Sequence, residues 1–245
     1  MKYIHLPTSE NSRHINCSDC ALSPICEPTP IGSVEFDVKE TLLMKKQPFK
    51  TGELIYKEGQ PFEFLYAITS GSAKEVCLYG QPQEQVISFK LKGELAGQNA
   101  VATDIYPNSL VALEDCDICV LPYKDVLESA TSLPQLLTKI VTLFSIDSYH
   151  ESEVRKSLAS ATTAESKVAA FLYNISLRHK NRNQNYIDIK LSMSRSDIAN
   201  YLGITKETLS RSLTRIQNRD LIETSGKYIH ISNFEHLKEA QGLSI

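Results

Sequence analysis

The stretch from residue 194 to residue 216 constrains the fold more than any other part of the chain. Ser194-Arg-Ser-Asp197 can form a capping arrangement, with Asp197 at the third helical position. Ile198, Ala199 and Leu202 give this helix an apolar side, and Gly203 supplies the turn that ends it. Thr205 can cap a second helix whose core face is Leu209, Leu213 and Ile216. Two short helices joined by a glycine turn at this spacing make a helix-turn-helix. The second helix presents Glu207, Ser210, Arg211 and Thr214 on one face. An arginine can chelate O6 and N7 of guanine, a carboxylate can accept from cytosine N4, and a hydroxyl can supplement either. Lys206, Arg215 and Arg219 flank that face and can take phosphates. The competing reading is a helical hairpin with a solvated charged face; caps, turn and basic flanks together favour a DNA reader. Residues 221–224 and 227–231, around Ser225-Gly226, then form a hairpin, the wing of a winged helix-turn-helix.

Charge is divided along the chain in the same sense. The net charge is -3, yet from residue 159 onward 12 Lys and Arg face 8 Asp and Glu. The preceding residues hold the remaining 14 and 21. An acidic front joined to a basic back suggests a sensor or scaffold joined to a polyanion binder. No apolar run is long enough to span a bilayer, and the N-terminus lacks the pattern of an export signal. The chain is therefore expected in the cytoplasm, where thiol buffers disfavour a disulfide framework for its 6 Cys.

Three of those thiols, Cys17, Cys20 and Cys26, fall within ten residues in a C-x2-C-x5-C spacing. A short loop can bring them to one metal centre, and thiolates suit zinc or iron–sulfur clusters. Three ligands do not close a site of four, and the spacing alone is equally compatible with three unrelated thiols. The four prolines at 7, 24, 28 and 30 argue against a long helix there, whereas 34–45 could be one short helix.

Between 47 and 122, short β-branched and aromatic segments alternate with glycine turns: 53–57, 63–69, 73–78, 85–91, 109–113 and 117–121. That spacing implies a β-sandwich or jelly roll. Residues 133–158 then read as a helix with its one proline, Pro134, at the start. Leu136, Leu137, Ile140, Val141, Leu143, Phe144 and Ile146 crowd its first half, too many for a helix with one covered face. Besides packing on its own sandwich, this helix is expected to pair with a partner helix in a homodimer. The helix 163–178 follows, capped by Thr163, with Val168, Phe171, Leu172 and Ile175 on one face. Residues 186–191 read as a strand.

The chain resembles the fumarate–nitrate reduction regulators (FNR), within the larger cAMP-receptor-protein superfamily. The resemblance rests on the three clustered cysteines, on 65–71 (LYAITSG), on 169–176 (AAFLYNIS) and above all on 195–211 (RSDIANYLGITKETLSR). It implies an α+β architecture. Residues 1–32 are a cysteine-bearing arm, 33–131 a cupin-like β-roll sensor, 132–160 a dimerisation helix and 161–245 a winged helix-turn-helix domain. It also implies an oxygen-sensitive [4Fe-4S] cluster on four cysteines. The family's fourth ligand follows an Ala-Leu-Glu segment and precedes an apolar-Pro pair. Here Ala112-Leu-Glu114 and Leu121-Pro122 bracket Cys116 and Cys119, and the register with 118–122 selects Cys119.

Glu207, Ser210 and Arg211 stand where the family reads a TTGAT-like half-site, two per palindrome, so double-stranded DNA is the expected partner, with RNA polymerase implied beside it. The superfamily's cyclic-nucleotide binders hold the ligand phosphate with an Arg-Ser pair. The corresponding residues here, Gly97-Gln-Asn99 and Pro107-Asn-Ser109, lack the arginine, so no cyclic nucleotide is expected. No enzymatic turnover is expected either. The alternatives are a regulator whose cysteines hold structural zinc or sense redox directly, and a thiol redox enzyme using Cys17 and Cys20. The latter lacks the βαβ setting of such motifs and leaves the reader unexplained.

Overall fold

In the computed structural model the described residues are 29–31, 34–36, 45–77, 84–132 and 134–241. Strands β1 (Thr29–Ile31) and β2 (Val34–Phe36) pair antiparallel as a hairpin. The short helix expected over 34–45 is therefore not formed at its start, where Val34-Glu-Phe36 instead gives alternating β-type residues to pair. The boundary set at residue 32 falls inside this hairpin.

The sensor is a roll of two four-stranded sheets built from β3 (Lys45–Phe49), β4 (Leu54–Tyr56), β5 (Phe64–Ser70), β6 (Ala73–Cys77), β7 (Gln85–Lys90), β8 (Leu95–Ala96), β9 (Ser109–Ala112) and β10 (Cys116–Pro122). The sheet orders are β3-β10-β5-β8 and β4-β9-β6-β7. The six segments expected as strands all form. Strands β3 and β8 were not anticipated: β8 is two residues long, and β3 contains Pro48, which has no N–H for a ladder. The sheet tolerates it because β3 is an edge strand. One core cluster draws on both sheets, with Ile68, Leu110 and Ile118 fully buried. Each such side chain contributes roughly 1.5–3 kcal/mol by leaving water. Gly71, at φ +79, turns β5 into β6; a Cβ there would stand 2.6 Å from the Asp115 carbonyl oxygen and 2.9 Å from Cys116 Sγ.

After β10 come helix α1 (Tyr123–Ser132) and the long helix α2 (Pro134–Ser160), where Pro134 occupies the first position. The structure divides the seven apolar residues named on α2. Leu136, Ile140 and Leu143 are buried against the same chain's sensor, in a cluster with Leu65, Leu95 and Leu121, and Phe144 packs at its edge. Leu137, Val141 and Ile146 are about half exposed. The exposed apolar face of α2 is thus narrower than the row of seven. It runs from Leu137 and Val141 past the rim of Phe144 into a shallow groove with Ser145, Ser148, Tyr149 and Ser152.

Helix α3 (Ala164–Lys180) opens the reader. The Thr163 hydroxyl accepts from Ser166 N–H at 3.0 Å, and Ser166 Oγ accepts from Thr163 N–H at 3.0 Å. β11 (Asp188–Lys190), α4 (Arg195–Leu202), α5 (Lys206–Gln217), β12 (Ile222–Ser225), β13 (Tyr228–Ile231) and α6 (Phe234–Glu239) follow. The wing is a three-stranded sheet in the order β11-β13-β12. The reader's core, including Val168, Phe171, Leu172, Ile175, Ile198, Leu209 and Ile216, is continuous with Val76, Val86, Phe89 and Leu91 of the sensor. No described helix is long and apolar enough to cross a membrane.

Candidate nucleic-acid interface and sensor thiols

The reading helix α5 is held by the local chemistry its sequence announces. Ser194 Oγ accepts from Asp197 N–H at 3.1 Å, and Asp197 Oδ2 accepts from Ser194 N–H at 3.0 Å. Gly203 adopts φ 64 and ψ 40, the left-handed turn that a Cβ would strain. Thr205 Oγ1 then accepts from Thr208 N–H at 3.1 Å and starts α5. Leu209, Leu213 and Ile216 are buried, which points the opposite face outward. Thr205, Lys206, Glu207, Ser210, Arg211, Thr214 and Arg215 are all exposed. Glu207 is held ionised below its ordinary pKa by its own backbone N–H and by the Thr205 hydroxyl. Arg211 Nη2 donates to Thr208 Oγ1 at 3.3 Å, which steadies the guanidinium at the surface. This surface offers a forked donor, a carboxylate and hydroxyls in one stripe, the set that reads base edges in a major groove.

Two basic residues near the stripe serve the protein itself. Arg219 pairs with Glu165 at 2.9 Å and ties the end of α5 to the first turn of α3, so it is not an uncommitted phosphate contact. Arg195 Nη2 donates to the Gly226 carbonyl at 3.1 Å and fastens α4 to the wing turn.

Neither anchor to the sensor was apparent in the sequence. On α4, Asn200 Oδ1 accepts from Val86 N–H at 2.7 Å and its Nδ2 donates to the Glu84 carbonyl at 2.9 Å. Asp197 also takes Lys74 Nζ at 2.8 Å, both side chains being largely buried. On α3, Arg178 Nε donates to Glu94 Oε1 at 2.8 Å, its Nη2 pairs with Glu94 Oε2, and Arg182 Nη1 lies 3.2 Å from Oε1. Burial opposes ionisation of Glu94, but Arg178 and Arg182 outweigh it and hold its pKa far below the ordinary 4.5. The unfolded chain therefore takes a proton on this carboxyl more readily than the folded one. Its stabilisation is complete above the unfolded pKa and declines as pH falls below it. Urea midpoints are accordingly expected to fall between about pH 5 and 3, with a shallower slope in Glu94→Gln.

The two thiols of β10 differ in environment. Cys119 is partly buried on β10, opposite Ala67 of β5 and Lys46 of β3, and packs at the edge of the cluster that holds Leu136, Ile140 and Leu143. Cys116 belongs to the core shared by the two sheets and is buried. Burial pushes its thiol up to about 11, and its single S–H has the Ser72 carbonyl at 3.1 Å and the Glu114 carbonyl at 3.0 Å as acceptors. Cys17, Cys20 and Cys26 lie outside the described residues. Among the described residues no three His, Cys, Asp or Glu converge as a metal site.

In the segments 97–99 and 107–109, Gln98 donates to Asp147 of α2, and Ser109 Oγ accepts from Glu58 N–H at 2.9 Å. The sequence has no arginine from residue 14 to residue 154.

Comparison with known proteins agrees with this architecture. Residues 166–240 match the family described as Crp-like helix-turn-helix domain, and residues 46–131 match the cyclic nucleotide-binding domain. The fumarate and nitrate reduction regulatory protein of Vibrio cholerae is 36% identical over 230 residues, covering 94% of this chain and 92% of its own. The transcriptional activator Anr of Pseudomonas aeruginosa is 35% identical over 216 residues, 88% of each. Among solved structures, FixK2 from Bradyrhizobium japonicum superimposes with a TM-score of 0.72 at 24% identity, covering 82% of this chain and 99% of its own, which supports the fold. With a β-roll, a long helix and a winged reader in this order, and with relatives matched over nearly their whole length, the chain belongs to the FNR/Anr family of transcriptional regulators within the Crp-like group.

Proposed function

We propose that this regulator is oxygen-responsive and cytoplasmic, and binds a palindromic TTGAT-type DNA site as a homodimer when a [4Fe-4S] cluster is held by Cys17, Cys20, Cys26 and Cys119. The observation that carries the reading is the exposed stripe of Glu207, Ser210 and Arg211 in a chain matched over 93% of its length by a protein named anaerobic regulatory protein. The chemistry of the one described ligand fits. Cys119 is partly accessible, whereas Cys116 is buried and kept protonated, and metal ligation needs the thiolate. Such a cluster supplies reactivity toward oxygen.

The chain's own residues then connect the two ends. Drawing the N-terminal arm to Cys119 places it beside the cluster formed by Leu136, Ile140 and Leu143. Those residues fix one face of α2, and Leu137 and Val141 leave the neighbouring face for a second copy. Pairing there sets two reading helices one helical turn of DNA apart, the spacing of a palindrome. Loss of order in the arm shifts the population toward chains that cannot hold both half-sites. The Pseudomonas relatives are named transcriptional activators, which supports RNA polymerase as a further partner. The absence of an arginine in the roll supports a sensor without cyclic nucleotide.

Binding to single-base variants of the site tests the reading stripe. Arg211→Ala is expected to cost ~1–3 kcal/mol, with discrimination relaxed at one guanine. An equal loss on every sequence would reduce Arg211 to a phosphate contact.

A further inference from the structure

The turn between β7 and β8 carries buried charges toward two separate elements. Lys90 on β7 is buried and lies 3.5 Å from Glu151 of α2. Four residues on, Glu94 is buried and takes Arg178 through both oxygens, with Arg182 at 3.2 Å. The turn's backbone adds acceptors to the same side of the reader. Arg178 Nη2 donates to the Phe89 carbonyl, Arg182 Nε to the Gly93 carbonyl at 3.2 Å, and Gln184 Nε2 to the Lys92 carbonyl at 3.3 Å.

Three residues, 161–163, join α2 to α3. A link that short sets the distance between the long helix and the reader but leaves rotation to be fixed elsewhere. Apolar contacts are non-directional and tolerate rotation. A guanidinium fork on a carboxylate fixes both distance and plane. A buried pair of this kind is weak as a source of stability, since desolvation offsets attraction, and is better suited to specifying one arrangement. The β7–β8 turn touches α2 through Lys90 and the reader through Glu94, so it can register one against the other.

We propose that Glu94 is a positioning residue for DNA binding: through Arg178 and Arg182 it sets the reader's orientation against the long helix, so that the two readers of a dimer meet a palindrome in register. The proposal rests on the palindrome-binding dimer described above. Glu94 lies on the sensor, apart from the exposed reading stripe, so its effect is confined to how the two stripes are held relative to each other.

The test uses the full-length protein prepared without air, at concentrations where sedimentation shows the dimer. Binding is measured on one duplex with two TTGAT-type half-sites and another with a single half-site. Glu94→Gln is expected to weaken binding to the palindrome by about tenfold or more, within the 5–150-fold range usual for coupled sites, and to leave half-site binding unchanged. Arg178→Lys keeps the charge and loses the fork, and is expected to follow it. Arg211→Ala is the control for reading itself and is expected to weaken both. Wild-type protein with no preference for either duplex over random DNA would refute DNA reading at this site. Wild-type preference combined with undiminished palindrome binding in both variants would overturn the positioning role alone. Equal loss on both duplexes, loss of the dimer, or failure of both variants to fold would make the junction structural and would overturn it as well.

Discussion

Cys119→Ala is expected to leave anaerobically prepared protein without iron or acid-labile sulfide, whereas Cys116→Ala is expected to retain both. The two thiols are three residues apart on β10 and face different cores. Burial pushes the Cys116 thiol up to about 11, and its S–H already lies between the Ser72 and Glu114 carbonyls. Recruiting it as a ligand would require removing its proton from a buried site and breaking those contacts. Cys119 lies partly accessible at the edge of the cluster that supports α2. Cys116→Ala should still lower the urea midpoint somewhat, because it opens a small cavity beside Gly71. Iron and sulfide assays decide between the two; loading that survives Cys119→Ala and disappears in Cys116→Ala would move the fourth ligand.

On the long helix, neighbouring residues are expected to respond in opposite ways. Ile140 is 4% exposed and packed on the sensor, while Val141 is 57% exposed. Ile140→Ala should lower unfolding free energy by ~2–5 kcal/mol, the usual range for removing a buried Ile side chain. Val141→Glu should leave the monomer's stability within about 0.5 kcal/mol, as for an ordinary surface change. It places a charge in the proposed seam, and a cost of about 1.4 kcal/mol or more there would weaken the dimer at least tenfold. Urea unfolding and sedimentation equilibrium separate the outcomes. A dimer undisturbed by Val141→Glu would place the seam elsewhere.

The parts of the fold that were legible in the sequence are those fixed locally. The Ser194–Asp197 cap, the Gly203 turn and the Thr205 cap each depend on residues three or four apart, and all three form as read. The strands with clear β-type runs form too. Strand β3 was hidden by Pro48, which only its edge position permits. The apolar residues of α2 announced a crowded helix, but not which of them its own sensor covers, because helical spacing alone places apolar residues on several faces at once. Least legible was the junction of Glu94 with Arg178 and Arg182. Its partners are 84 residues apart or more, and nothing local marks a carboxylate as one that two arginines will surround. The reading stripe was visible throughout because its function requires exposure. The committed roles of Arg219 and Arg195 appeared only with their partners Glu165 and Gly226 in place.

In the proposed function, metal on the N-terminal thiols and Cys119 governs DNA binding. The most direct measurement follows one anaerobic sample through exposure to air, recording its visible absorption and its affinity for the palindromic duplex together. The expected result is a visible band with specific, high-affinity binding, both lost on the same time course after air. Metal-free protein that binds the palindrome as tightly as the anaerobic preparation would contradict control of DNA binding by the metal.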